Sequence, residues 1–295
     1  MSDIGQSPDI GSVYRSNHNK EVSDYYSHTW LDYFSVWMSQ ENLALHFGYQ
    51  DGNQLSHSES LSNSNRVLAD TVGIMPGERV LDAGCGVGGS SLWLAANREV
   101  TTTGVALGLD QVVLARREAE RRRLTGKCKF LVADFQCLPF PDRCFDVVWA
   151  QESLCHSSAK SVFFKEAYRV LRRDGRIIVA DFFLRSQNIG PSNRVVLKEW
   201  LDGWKIPSLW TAAQHSNAAR SAGFSCISVK DVTRCTACSH RRLYNLAVLA
   251  LPIAVTLEQA GMRNAMQHGN VIASLQQYRA LKSNCWFYVI FSARK

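Results

Sequence analysis

The sequence predicts an α/β fold in which a doubly wound, mostly parallel β-sheet carries helices on both faces. Two observations support this prediction. Between residues 79 and 183, short apolar strands alternate with amphipathic helices, and the first strand leads directly into a turn rich in glycine. Repeated βα units of this length pair their strands in parallel, which places the helices on the two faces of the sheet. A chain of 295 residues with 46% hydrophobic residues can bury such a core.

The alternation predicts seven strands, five in the regular region and two beyond it. The regular region is predicted to hold strands 79–83, 99–106, 128–133, 145–150 and 176–183, with helices 89–97, 109–124 and 160–172. The remainder is predicted to hold helices 193–204 and 211–221, strand 226–232, a long helical stretch 239–281 and a final strand 285–291. Ligands of such sheets bind beyond the carboxyl ends of the strands, so residues there are the candidate site.

These elements divide the chain into four segments. Residues 1–20 are rich in Ser, Asn and Asp and are expected to be flexible, and residues 21–65 are expected to form a helical cap. Residues 66–185 form the Rossmann-like core, and residues 186–295 complete the sheet and add lid helices at about 193–210 and 239–281. Aromatic residues of the cap recur at helical intervals between Tyr26 and Trp37, which is typical of a buried stripe or of a pocket wall.

Composition and charge limit the kinds of partner that we expect. The net charge is +7, and much of it lies in arginines 116–123 at helical spacing without interleaved aromatic residues, so we predict a solvated helix face and no nucleic-acid partner. The apolar run 243–257 is short and contains Pro252, and the N-terminus has no apolar segment, so we predict neither a membrane span nor a signal peptide. Nine unevenly spaced cysteines, with one Cys-x-x-Cys pair at Cys235 and Cys238, favour free thiols in a reducing cytoplasm and no metal site.

The glycine-rich turn after the first strand is typical of a nucleotide-type ligand site. Gly84, Gly86 and Gly89 have the dinucleotide spacing G-x-G-x-x-G, which alone is a weak signal. Two features oppose NAD: a carboxylate at Asp82 would repel a pyrophosphate, and no acidic residue follows the second strand, Val105-Ala-Leu-Gly108, to hold a ribose. A cationic cofactor without phosphate fits better, and S-adenosylmethionine has both properties.

Residues at the ends of the other strands agree with this cofactor. Asp134 can accept a hydrogen bond from an adenine amino group, although a turn-capping role is open, and Phe135 can stack on the ring. Gln111 can hydrogen-bond the ribose hydroxyls in place of the missing acid. The predicted cofactor contacts are Asp82, Gly84, Gly86, Gly88, Leu107, Gln111, Asp134, Phe135 and Gln151.

These motifs resemble those of class I S-adenosylmethionine-dependent methyltransferases, strongly so over about residues 66–185. The matching stretches are Val80-Leu-Asp-Ala-Gly-Cys-Gly-Val-Gly-Gly-Ser-Ser91, Ala133-Asp-Phe, Leu138-Pro-Phe-Pro-Asp142, Phe145-Asp-Val-Val-Trp149 and Arg169-Val-Leu-Arg-Arg-Asp-Gly175. Within that class the chain resembles the tocopherol, sterol and geranyl diphosphate C-methyltransferase branch. The features that carry this are Leu45-His-Phe-Gly-Tyr49, Gly88-Gly-Ser-Ser91, Gly104-Val-Ala-Leu-Gly-Leu-Asp-Gln111 and Gln151-Glu-Ser-Leu-Cys-His156. The chain departs from the branch at Ala106 and Gly108, where Thr and Ser are usual.

Two residues after the fourth strand are the candidate catalytic groups. Methylation of an alkene carbon leaves a carbocation, which needs aromatic faces to stabilise it and a group that removes a proton. Glu152 matches the position of the acidic residue in the C-methyltransferase branch, which implies a role as proton acceptor or electrostatic partner; a surface carboxylate or a structural hydrogen bonder is the alternative. His156 lies four residues on and is a candidate base or substrate hydrogen bonder, with a structural role equally open.

Aromatic residues outside the core are the candidate walls of the acceptor pocket. They are Tyr25, Tyr26, Trp37, Trp200, Trp204 and Trp210. The acceptor itself depends on Arg241 and Arg242: if they face the pocket, an isoprenoid diphosphate is expected, and if they lie on the surface, a neutral prenylated molecule. The resemblance also includes bacterial enzymes of the teleocidin type, which methylate a terpenoid side chain on a finished alkaloid before cyclisation.

The sequence therefore predicts a cytoplasmic S-adenosylmethionine-dependent C-methyltransferase of secondary metabolism, acting on an alkene carbon of a prenyl or terpenoid small molecule. The cation then loses a proton or cyclises. The alternative is an O- or N-methyltransferase with His156 as base, and a more distant one is a non-catalytic protein that binds the cofactor. The aromatic N-terminal helix covers either its own site or that of a second copy, so a homo-oligomer is compatible with the sequence.

Overall fold

The computed structural model describes residues 10–39, 41–52 and 55–295, with side chains from residue 17 onward. Its helices are α1 (Ile10–Val36), α2 (His57–Val72), α3 (Gly89–Asn97), α4 (Leu109–Arg121), α5 (Lys160–Val170), α6 (Pro191–Gly203), α7 (Ala212–Ala222), α8 (Thr233–Gln259) and α9 (Ala265–Lys282). Its strands are β1 (Arg79–Ala83), β2 (Thr101–Ala106), β3 (Cys128–Val132), β4 (Phe145–Gln151), β5 (Leu171–Leu184), β6 (Ser225–Asp231) and β7 (Trp286–Arg294).

The seven strands form one sheet in the order β3-β2-β1-β4-β5-β7-β6. Only β7 runs antiparallel to its neighbours β5 and β6. This confirms the predicted doubly wound, mostly parallel sheet. The strand order reverses between β1 and β4, and in such sheets a crevice opens at that point, beyond the carboxyl ends of the strands.

The C-terminal helical stretch differs from the prediction. Instead of one run at 239–281, two helices meet at a break: α8 ends at Gln259, Gly261 adopts φ +68°, and Asn264 begins α9 with a capping box to Gln267. A side chain that accepts from the third residue of a helix satisfies a backbone N–H that has no partner within the helix, and so fixes a helix start. The helix α9 packs on both α6 and α8, and α8 and α9 form the wall of the cap.

The N-terminal helix α1 begins earlier than predicted. Residues 10–20 are helical, whereas the sequence predicts residues 1–20 to be flexible; residues 1–9 lie outside the described part. The prediction followed the polar composition of this segment, whereas two of its side chains, those of His18 and Asn19, form hydrogen bonds with distant parts of the chain. His18 Nε2 donates to the carbonyl oxygen of His156 at 2.8 Å, and Asn19 Nδ2 donates to Asp134 at 2.8 Å.

Buried aromatic residues connect the sheet to the cap. Phe182 of β5 packs edge to face on Trp200 and Trp286, with ring centroids 5.4 and 5.2 Å apart. Within the described residues, no helix combines the length and apolar character that crossing a membrane requires. All nine cysteines are free thiols.

Candidate active site

A cavity of about 340 Å³ lies over the carboxyl ends of β1 to β4, between the sheet and the helices α1, α8 and α9. Its floor is polar and consists of the glycine turn and the strand ends. Its upper wall is mostly apolar; the residues of α8 and α9 that line it include Leu243, Leu246, Ala247, Ala250, Ala254 and Val271. The site therefore has a polar end at the sheet and an apolar end under the cap.

Asp82 stands at the floor of this cavity. Its side chain is buried, and Ser91 donates to it through the hydroxyl, at 2.6 Å, and through the backbone N–H. Burial raises the pKa of Asp82 to about 6, because the interior stabilises the ionised carboxylate less than water does. A carboxylate held in this way suits a cationic ligand.

Close packing around the glycine turn explains why glycine is needed at two of its positions. A Cβ at Gly84 (φ +92°) would lie 2.3 Å from Ser153 Cβ, and one at Gly89 would lie 2.5 Å from the carbonyl oxygen of Leu43. Gly84 and Gly86 line the cavity as predicted, but Gly88 does not. Its N–H donates to Cys85 at 2.8 Å, and a Cβ there would press on Phe130, so Gly88 serves the turn and its packing.

The remaining predicted cofactor residues all line the cavity: Leu107, Gln111, Asp134, Phe135 and Gln151. The Gln111 amide makes no hydrogen bond with a described residue, so it is free for a ligand. Asp134 accepts from the backbone N–H of Gln136 at 2.8 Å, which is the turn-capping role left open in the sequence, and from Asn19 of α1. Gln151 is tied in place, donating to Ser64 at 3.2 Å.

Glu152 follows β4 in a left-handed conformation, with φ +51°. This turn directs its carboxyl group into the cavity, where Oε1 accepts from the Phe47 N–H and from the Tyr288 hydroxyl, both at 2.6 Å. Oε2 has no hydrogen-bond partner among the described residues. Burial raises the pKa of Glu152 to about 8 although both hydrogen bonds oppose the shift. The group is anchored through one oxygen and can exchange a proton at the other.

His156 also lines the cavity, but both of its ring nitrogens are engaged. Nδ1 lies 3.4 Å from the carbonyl oxygen of Lys205, and Nε2 lies 3.0 Å from the hydroxyl of Tyr26. Since only a protonated Nδ1 can bond a carbonyl, Nε2 is the acceptor of the Tyr26 proton. Burial lowers the pKa of His156 to about 4, which keeps the ring neutral.

Four of the six predicted wall residues line the cavity, namely Tyr25, Tyr26, Trp37 and Trp204. Trp200 and Trp210 do not. Trp200 is fully buried behind Trp204, against Phe182 and Trp286, and Trp210 packs on His215. Sequence analysis missed Phe47 and Phe182, which do line the cavity. Phe47 lies in the stretch Leu45-His-Phe-Gly-Tyr49, which was used for the family resemblance and could have indicated it. No sequence pattern indicated Phe182 as a cavity residue.

Charged residues of the cap occupy positions that the sequence could not fix. Arg241 and Arg242 are exposed on α8 and do not line the cavity. Arg263, which the sequence analysis missed, does line it, but its two terminal nitrogens donate to Asp32 at 3.0 and 2.9 Å. A cationic side chain committed to a carboxylate in this way has little capacity left for a diphosphate.

Comparisons with known proteins agree with this geometry. The family model described as "Methyltransferase domain" matches residues 81–179. The 27-O-demethylrifamycin SV methyltransferase of Amycolatopsis mediterranei is 32% identical over 193 residues, which cover 65% of this chain and 70% of that protein. Cycloartenol-C-24-methyltransferase 1 of rice is 30% identical over 221 residues, covering 74% of this chain; the chain spans only 62% of that relative.

A solved structure extends the likeness to the cap. The structure of the [4+2]-cyclase SpnF superposes with a TM-score of 0.78 and 24% identity, covering 94% of this chain and 96% of the other. The fold is therefore shared beyond the residues of the family model. The buried carboxylate at Asp82 and the glycine turn agree with the sequence matches, and the chain belongs to the class I S-adenosylmethionine-dependent methyltransferases.

Proposed function

We propose that this methyltransferase transfers the methyl group to an alkene carbon of a prenyl or terpenoid small molecule. The observation that carries the proposal is the position of Glu152, whose carboxyl group faces a cavity walled by aromatic and aliphatic side chains. The rice relative, cycloartenol-C-24-methyltransferase 1, is named for methylation at a carbon, C-24. The remaining steps follow from what the cavity residues can do.

The floor residues are suited to hold the cofactor. Bound there, S-adenosylmethionine would supply an electrophilic methyl group: the π electrons of an alkene carbon would form the new C–C bond while the S–CH3 bond breaks and its electrons remain on the sulfur of S-adenosylhomocysteine. Asp82 would accept hydrogen bonds from the cationic end, Gln111 from the ribose, and Asp134 from the adenine amino group, with Phe135 against the ring. The helices α1, α8 and α9 would exclude water and hold the alkene in line, which can supply much of the rate.

Attack by the alkene leaves a positive charge on the neighbouring substrate carbon. Tyr26, Phe182 and Trp204 present aromatic rings to the cavity, and an aromatic face stabilises a nearby cation. Glu152 then takes a proton from a carbon next to the cation, and the electrons of that C–H bond form the new alkene. A positive charge in the cavity favours the ionised carboxylate, which offsets the burial that raises its pKa.

The same walls favour a neutral acceptor over a diphosphate. Arg241 and Arg242 lie outside the cavity, and Arg263 is bound to Asp32. The acceptor is therefore proposed to be an apolar prenylated molecule, and cyclisation of its cation in place of proton loss is an open branch of the same chemistry.

O- or N-methylation is the second candidate, and one contact favours it. The Tyr26 hydroxyl donates to His156, so a phenolate at Tyr26, formed by proton transfer to the histidine, is a conceivable base for an acceptor hydroxyl. The rifamycin relative is named as a methyltransferase of an oxygen. Against it, burial lowers the pKa of His156 and raises that of Tyr26, and both shifts disfavour this proton transfer.

The proposal is tested by incubating the protein with methyl-¹³C-labelled S-adenosylmethionine and geranylated phenols or indoles. NMR of the product then shows which atom carries the labelled methyl group. We expect the label on carbon, loss of at least about 100-fold in turnover for Glu152→Gln, and retained C-methylation in His156→Ala. Cofactor binding by each variant is measured in parallel to show that the floor is intact. Label found only on oxygen or nitrogen, with Glu152→Gln active and His156→Ala inactive, would replace C-methylation by the second candidate.

A further inference from the structure

A chain of hydrogen bonds runs through the cap and ends at the cavity. Asn270 of α9 donates through Nδ2 to Asp32 of α1 at 3.1 Å, and its Oδ1 accepts from the Tyr25 hydroxyl at 2.8 Å. The Tyr25 hydroxyl lies 2.8 Å from the Tyr33 hydroxyl. With Arg263, all of these residues line the cavity. They form a hydrogen-bonded polar part of the mostly apolar upper wall.

Arg263, at one end of this series of hydrogen bonds, determines which group donates in each of them. Arg263 has only donors, so Asp32 is an acceptor, and the Asn270 group that faces Asp32 must be its NH₂. The opposite side of that amide is then the carbonyl oxygen, to which Tyr25 must donate its single proton. Tyr25 therefore has no proton for Tyr33, and the bond between the two hydroxyls runs from Tyr33 to Tyr25.

Tyr33 is thus left with an oxygen whose proton is already used. No described residue donates to this oxygen, and the side chain is half-buried on the cavity wall. Burial raises the pKa of Tyr33, so the phenol keeps its proton and the order of donors holds near neutral pH. A phenol oxygen in this state accepts a hydrogen bond and cannot donate one.

We propose that Tyr33 selects acceptor molecules that present an N–H or O–H group beside their prenyl chain. A group that can only accept, such as an ether, finds no donor at this oxygen. The arrangement also disfavours a diphosphate, since the nearby positive charge is paired with Asp32. The inference rests on the proposed function only in placing the methyl acceptor in this cavity, and it is independent of which atom is methylated.

The proposal is tested by comparing the affinities of paired probes that differ only in whether they carry an N–H or O–H group. Binding is measured in the presence of S-adenosylhomocysteine, which prevents turnover. The pairs are 7-geranylindole with its N-methyl derivative, and 2-geranylphenol with its methyl ether, titrated calorimetrically. We expect wild-type protein to bind the N–H or O–H member of at least one pair roughly three- to tenfold more tightly, as one hydrogen bond provides. Tyr33→Phe should abolish this difference by weakening the donor member alone. Tyr244→Phe is the matched control and should keep the difference in affinity, because the Tyr244 ring packs against Tyr278 and does not line the cavity.

A second variant distinguishes recognition from a structural role. Tyr25→Phe removes the group that receives the Tyr33 proton, so Tyr33 becomes able to donate. The methyl-ether probe, whose oxygen can accept, should gain affinity, whereas the N-methylindole probe, which has no acceptor, should not. Equal affinity within both pairs in wild-type protein, no binding of any probe, or an unchanged preference in Tyr33→Phe would overturn the proposal. Because no methyl group is transferred in these titrations, their outcome does not depend on whether carbon or oxygen is methylated.

Discussion

Asp82 ends β1 with its carboxyl group buried at the floor of the cavity, where Ser91 holds it in place. Two donors from one serine fix the orientation of the carboxylate before a ligand arrives, so little ordering is needed on binding. The same burial raises the pKa of Asp82 to about 6, which brings its protonation within the range of ordinary buffers.

Cofactor affinity should therefore depend on pH in a way that Asp82 determines. If a cationic cofactor binds the ionised carboxylate of Asp82, affinity levels off as the pH rises from 6 to 7 and falls up to about tenfold per pH unit below pH 6. Calorimetric titration of S-adenosylmethionine between pH 5 and 7 measures this slope. Glu152, with a pKa of about 8, also faces the cavity but remains protonated over most of this window.

Asp82→Asn should weaken binding at pH 7 and remove the slope. Asp202→Asn, on the exposed end of α6, should behave as wild type. A slope that persists in Asp82→Asn would assign the titration to another group, such as the buried Asp181, whose pKa is also raised to about 6.

At the scale of elements, the sequence predicted best the parts whose periodicity reflects burial. The strands and helices between 79 and 183 alternate because the sheet is covered on both faces, and that pattern is visible in one sequence. Whether an aromatic residue faces core or cavity is not visible. Trp200 and Trp204 lie one turn apart on or just after α6, yet only Trp204 reaches the cavity. Their difference depends on how α6 packs, which no local pattern encodes.

Contacts between distant elements escaped prediction for the same reason. Arg263 and Asp32 are separated by 231 positions in the chain, and their pairing depends on the turn between α8 and α9. Glu152 was predicted from the resemblance, whereas its anchors, the Phe47 N–H and the Tyr288 hydroxyl, come from the cap and from the last strand. Such partners become apparent only when the sheet and the cap are assembled.

The crossing of α6 and α9 gives a prediction about stability. Gly203 at the end of α6 lies so close to α9 that a Cβ would be 2.5 Å from the carbonyl oxygen of Gly269. Backbone cannot move as a flexible side chain does, so Gly203→Ala should separate the helices and destabilise the protein by about 1–3 kcal/mol. Denaturation in urea measures this. Gly126→Ala, where a Cβ meets nothing within 4 Å, is the control and should change stability little. Equal stability of the two variants would contradict this close packing.

At the scale of the whole molecule, the cavity lies between two parts of the fold that have different roles, the sheet and the helical cap. The sheet supplies the cofactor floor, and α8 and α9 supply the acceptor wall. The helix α1 touches both, because Asp32 binds Arg263 of the cap while Asn19 and Ser27 bond Asp134 and Asp110 beside the floor. One helix thus covers the site over cofactor and acceptor together, and we expect cofactor exchange to require displacement of α1.

Weakening the floor contacts of α1 should therefore speed cofactor exchange. The double variant Asn19→Ala/Ser27→Ala removes two hydrogen bonds to carboxylates, of 2.8 and 2.7 Å, and makes displacement of α1 easier. We expect S-adenosylhomocysteine to dissociate about tenfold faster, since each such bond contributes roughly 1 kcal/mol and the second is exposed. Stopped-flow displacement followed by tryptophan fluorescence gives the rate. His28→Ala, which removes only a bond within α1 to Asp24, should leave the rate unchanged. Dissociation at the wild-type rate in the double variant would mean that the cofactor leaves without displacing α1.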